Sequence, residues 1–137
     1  MATVEEVHSH VVAILTEANI SFSVKAERLF VRLGSAAVFI RAEAWLNSHV
    51  IVELLCPVLK NVDKPAGLLE KLNQLNCGLF FGKAYLHDKG VWLAHNLLGD
   101  HLDPEELIAT LGLLGRTADR IDDELKGDFG GQRFNDN

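Results

Sequence analysis

Clustered positive charge is missing from this chain. Its 137 residues carry 13 Lys and Arg against 19 Asp and Glu, for a formal net charge of -6. The cations are scattered, which leaves no electrostatic footprint for nucleic acid and disfavours anionic membrane surfaces. No apolar run approaches the ~20 residues that a bilayer span requires. The first residues, Met1 to His8, hold acids where a secretion signal would hold bases, and no apolar segment follows, so a cytoplasmic location is expected. Cysteine is scarce. Cys56 and Cys77 each sit in an apolar run and are expected to stay reduced and pack as small hydrophobes. A phosphate-cradling loop is also missing, because Gly78, Gly82, Gly90, Gly112 and Gly115 match neither phosphate-loop spacing. Asp128-Phe129-Gly130 stands without any other kinase element. Nothing calls for a cofactor, and no catalytic set emerges.

What is present is a strong pattern of helices and strands. Hydrophobic residues make up 48% of the chain, enough for one globular domain rather than a disordered segment. The expected domain covers residues 1–127, and the polar stretch 128–137 reads as a flexible tail. Thr3-Val4-Glu5-Glu6 is a capping box. Val4, Val7, Val11, Ile14 and Ala18 then recur at spacings of three and four, predicting an amphipathic helix that ends in a left-handed Asn19. His8 and His10, two apart, cannot share a face and read as solvent-side residues.

A meander of strands follows. Ser21–Val24 reads as an edge strand, then come Leu29–Leu33, Ala37–Trp45 and His49–Cys56, the last stopped by Pro57. Val58–Lys64 reads as a loop, and Pro65 opens a helix bearing Leu68, Leu69, Leu72 and Leu75. Two aromatic-rich runs then flank Asp88-Lys89-Gly90, predicting a hairpin with Gly90 in the left-handed position. The first of these runs, Leu79–His87, carries aromatics on both faces and is expected to be a central strand. Asp103-Pro104-Glu105-Glu106 is a strong helix start. Leu107, Leu111, Leu114, Ala118, Ile121 and Leu125 form its stripe, and Gly127 is its expected end. Gly112 and Gly115 within it suggest a close approach by a neighbouring element. Asp119, Asp122, Asp123 and Glu124 read as a solvated face.

Alternation within the meander separates two surfaces. Val38, Ile40, Ala42 and Ala44, with Val50, Val52, Leu54 and Cys56, make one uniformly apolar face that packs on the helices. The other face mixes charge with Phe39, Trp45, Ile51 and Leu55. A solvated antiparallel face is normally more polar, so these four residues are the candidate partner- or dimer-binding site. The alternative site is a small-ligand or metal-binding cluster of His87, His95 and His101 near the hairpin, with Asp88.

The predicted order is helix, three strands, helix, two strands, helix: an α+β fold with an antiparallel sheet. Leu68-Leu-Glu-Lys-Leu-Asn-Gln-Leu-Asn76, Phe81-Gly-Lys-Ala-Tyr-Leu-His-Asp-Lys-Gly-Val-Trp92, and Leu102-Asp-Pro-Glu-Glu-Leu107 through Ala118-Asp119 and Gly130-Gly131 resemble the YbjN-like proteins. That family groups with the class I type III secretion chaperones. The resemblance implies a type III secretion chaperone-like fold, a homodimer, and a non-enzymatic chaperone-like or regulatory role in binding peptide segments of other proteins, with no catalytic residues to transfer; the residues themselves lead to no metal assignment.

Overall fold

The computed structural model describes residues 2–134. Helix α1 spans Val4–Glu17, and its capping box is complete. The Glu6 N–H donates to Thr3 Oγ1 at 3.1 Å and the Thr3 N–H donates to Glu6 Oε1 at 3.2 Å. Asn19 follows with φ 58°. Strands β1 (Ser23–Lys25), β2 (Arg28–Leu33), β3 (Ala36–Trp45) and β4 (His49–Lys60) form the expected meander. Helix α2 (Leu68–Gly78), β5 (Lys83–His87), β6 (Gly90–Leu98), α3 (Pro104–Phe129) and a short β7 (Gln132–Arg133) complete the chain. All strands join one antiparallel sheet in the order β1-β2-β3-β4-β6-β5, with β7 on β4.

Helices α1 and α3 cover one face of this sheet. Val38, Ile40, Val52, Leu54, Cys56 and Leu93 point into the resulting core and are buried, as are Val7, Val11, Leu107, Leu111, Leu114 and Ile121 from the helices. Gly115 brings α3 against β2: a side chain there would meet Leu33 Cβ at 3.3 Å, whereas Gly112 faces open space. The cysteines differ. Cys56 is fully buried, but Cys77 is exposed near the end of α2, so its expected packing role is not realised.

Several expectations are corrected. Strand β4 runs through Pro57 to Lys60, where a loop was expected. The β3 pairing ends at Phe39↔Leu55, and the ladder with β6 shifts register between Pro57 and Leu59. Proline is tolerated at such an open or bulged position because no ladder donor is required. Helix α2 begins at Leu68, not near Pro65, because Gly67 adopts φ 86° just before it. The strand expected over Leu79–His87 starts only at Lys83, and β5 is the sheet edge, not its centre. The hairpin turn places Asp88 (φ 47°) and Lys89 (φ 62°) in the left-handed region rather than Gly90, as a two-residue type I′ turn requires. Gly90 is needed for space instead, since a Cβ would lie 2.9 Å from Trp92 Nε1. Finally, α3 continues past Gly127 to Phe129, and Gln132–Arg133 pair with Leu59 and Lys60. Part of the stretch read as a tail is therefore helix and strand, and residues 135–137 lie outside the described residues.

Candidate functional site

Among the described residues the second face of the sheet carries no helix. Cross-strand register sets its layout. Phe39 opposes Leu55, which opposes Ala94, while Trp45 opposes His49 and Ile51 opposes Leu98. The four residues expected to form a binding surface thus share one face, but in two groups. At one end Phe39 and Leu55 lie beside Phe30, whose ring centroid is 5.1 Å from that of Phe39. At the other end Trp45 and Leu98 flank Ile51 and are 50% and 61% exposed, which is high for side chains of this size.

A charged band separates the two groups. Arg28 Nη1 lies 2.5 Å from Glu53 Oε1, reaching across β3, and Arg41 Nη2 donates to Glu43 Oε2 at 2.7 Å. That bond holds the Arg41 guanidinium above its ordinary pKa. Arg41 Nε is enclosed and makes no hydrogen bond among the described residues. Tyr85 and Trp92, paired across β5 and β6, extend the apolar surface on the same side. Burial, and then the nearby Glu53, push the Tyr85 phenol above its usual value.

Sequence reasoning missed Phe30, Leu98, Tyr85 and Trp92. The alternation in each strand was legible, but the β4–β6 pairing that brings the hairpin onto this face joins segments far apart in the chain. It also missed Phe134, whose ring packs 6.2 Å from Phe39 and 6.5 Å from Phe30. Nor is the acidic face of α3 simply solvated. Asp119 Oδ1 accepts from Ser35 Oγ at 2.6 Å, and Arg133 pairs with both Asp122 and Asp123. The Asp122 side chain is only 15% exposed.

The histidines are not brought together. His87 sits at the hairpin tip beside Asp88. His95 points to the opposite, helix-covered side, where its Nδ1 accepts from the Gly82 N–H at 3.1 Å and its ring lies 5.4 Å from Phe81. Burial, and then Lys83, lower its pKa. His101 lies beyond the far end of β6. Among the described residues no group of three or more His, Cys, Asp or Glu could hold a metal ion, so the metal alternative gains no support. His49, by contrast, lies 2.9 Å from Asp100, whose other oxygen accepts from the Val50 N–H, and these bonds lower the Asp100 pKa. No helix among the described residues is long and apolar enough to cross a membrane.

This fold is shared with solved structures. One chain in the crystal structure of the ExsC–ExsE complex superposes with a TM-score of 0.66 at 18% identity, covering 89% of this chain and 95% of that one. YbjN from E. coli superposes with a TM-score of 0.61 at 12% identity, covering 88% and 92%. The fold is therefore type III secretion chaperone-like α+β. No curated protein matches the sequence. Over residues 5–137 the chain matches the family described as T3SS (YopN, CesT) and YbjN peptide-binding chaperone 1, and it belongs to that family.

Proposed function

We propose that this chain is a non-enzymatic, chaperone-like or regulatory module that takes an extended peptide segment of another protein on the bare face of its sheet. The observation that carries the reading is that face itself. Phe39, Trp45, Ile51 and Leu55, joined by Leu98 and Tyr85, form an apolar surface that no helix among the described residues covers. The family description and the complex-bound fold relative support the same reading. An extended peptide suits this surface because alternate side chains would reach the two apolar groups while polar positions cross the charged band. Leu69 and Phe80, 50% and 92% exposed near the two ends of α2, lie off this face. We assign them to a homodimer seam, which leaves the sheet free for the peptide.

The test is a phage-displayed library of random peptides panned on the immobilised full chain. Aromatic and aliphatic peptides should be enriched, and their affinity should fall at least about tenfold for Trp45→Asp or Ile51→Asp. His8→Ala, on the exposed side of α1, should bind as the parent does. Failure to enrich any peptide, or equal binding by Trp45→Asp, would sink the reading. Sedimentation equilibrium of Phe80→Asp checks the seam: the parent should be a dimer and the variant a monomer.

A further inference from the structure

We propose that the segment Gly130–Phe134 is a strap that occupies, in cis, a docking site for an extended client segment in which a cationic side chain is followed by an aromatic one, and that such a client displaces it. The inference rests on the peptide-binding reading above and states where one peptide sits and what chemistry it carries.

Strand β4 outlasts its neighbour. Beyond Leu55 it has no β3 partner, and among the described residues β7 takes that free edge through two residue pairs, Leu59↔Arg133 and Lys60↔Gln132. This is strand addition performed by the chain on itself. In extended backbone, consecutive side chains point to opposite sides, and the strap uses both. Arg133 turns towards α3 and pairs with Asp122 and Asp123. Phe134 turns to the bare face and packs edge-on against Phe39 and beside Phe30. Between these anchors lies a cavity of about 210 Å³ lined by Ser35, Ala36, Pro57, Asp119, Asp122 and Phe134 among others. A client could fill that space better than the strap does.

The hold on the strap is local. Gly130 and Gly131 link it to α3 with φ of 80° and 85°, and the buried stripe of α3 ends at Leu125, before them. Detachment would break the β4–β7 ladder, the Arg133 pairs, the bonds from Asn61 Nδ2 to Gln132 Oε1 and from Lys60 Nζ to the Phe134 carbonyl, and the Phe134 packing, all of them outside the buried stripe of α3. The acidic partners suit a cation whether it is supplied in cis or by a client. Docked by a tether, the strap competes as a high local concentration of ligand.

Gly131 offers a clean way to unseat it. A Cβ at that position would lie 2.6 Å from Val62 Cγ2 and 3.1 Å from the Lys60 carbonyl oxygen, at a φ that a β-branched residue avoids. The experiment compares the full-length parent, Gly131→Val and Phe134→Ala. The ligand is a fluorescein-labelled peptide carrying the sequence of residues 126–137, read by anisotropy. Trypsin cleavage after Arg133, read by mass spectrometry, reports strap release independently. Both variants should be cut faster and should bind the probe about tenfold tighter than the parent. Adding Phe39→Asp, or replacing the probe's Arg or second Phe by Ala, should remove the gain. Equal affinity of all three chains, or a gain that survives Phe39→Asp, would overturn the strap. If library peptides still bound through Trp45 in that case, the wider peptide-binding reading would stand without it. If the library enriched nothing while the probe still told the chains apart, the strap would stand and the wider reading would fall.

Discussion

The carboxamide of Asn76 closes the edge of the sheet on Ala84. Its Oδ1 accepts from the Ala84 N–H at 2.7 Å and its Nδ2 donates to the Ala84 carbonyl at 2.9 Å. One side chain of α2 thus replaces a neighbouring strand on β5. An open edge is a template for association, and here Asn76 occupies the β5 edge at Ala84 and β7 takes the far end of β4.

Removing that side chain has two readable effects. Asn76→Ala should lower stability by about 1–3 kcal/mol, because it strands both backbone groups of a buried residue. Urea unfolding should show a lower midpoint with an unchanged slope. Light scattering should show new concentration-dependent association, as β5 becomes a free edge.

The two faces of the sheet should separate stability from binding. Leu54→Ala, fully buried on the helix side, should cost about 2–5 kcal/mol by leaving a cavity. Trp45→Asp on the bare face should stay within roughly 0.5 kcal/mol of the parent while losing peptide affinity. Chemical denaturation and library-peptide binding, measured on both variants, check this. Similar destabilisation by the two would mean that the second face is covered.

The cysteines should report burial directly. Desolvation first, and then Asp119, push the Cys56 thiol up to about 12, and a thiolate is needed for attack on a reagent. Cys77 is exposed. A disulfide reagent should therefore modify Cys77 alone in native protein and both thiols in denaturant, counted by absorbance.

Asp122 gives a pH dependence with a definite sign. Burial, and then Asp123, raise its carboxyl from 3.8 to about 6 against the opposing pull of Arg133. A carboxyl raised in the folded state contributes stability that is fully present below its unfolded value, and that stability is lost as pH rises through the folded value. Asp122→Asn should therefore gain on the parent between about pH 4 and pH 7. Urea midpoints across that window test this, and a constant difference would show that Asp122 titrates normally.

Local chemistry made much of this fold legible. The Thr3 capping box, the Asp103-Pro104 helix start and the alternation of Val52 with Ile51 all depend on residues close in sequence, and the structure realises each. The site was half legible for the same reason. Phe39, Trp45, Ile51 and Leu55 could be placed on one face by parity alone, but their neighbours Leu98, Tyr85 and Phe134 arrive through distant pairings. Leu79–Phe81 misled because its aromatics belong to the connection before β5, where Phe80 is almost wholly exposed. Pro57 misled because its cost depends on whether the ladder needs a donor there, which is a property of the neighbouring strand. The Asp88-Lys89 turn was mislocated by one step because glycine's presence was taken to mean left-handed backbone, when Gly90 is needed for room beside Trp92.

Strand β4 also sets an order of assembly. It takes its partners from ever more distant parts of the chain: β3 through Phe39↔Leu55, β6 through Leu54↔His95, and β7 through Leu59↔Arg133. Closing each longer loop costs more chain entropy than the last, and non-local pairings slow folding. On a growing chain the meander can form before β6 exists, and β6 before β7. Among the described residues the β4–β7 pairing closes the longest loop of the three and has the fewest residue pairs. The strands β1 to β6 can therefore pair on a growing chain before β7 is made.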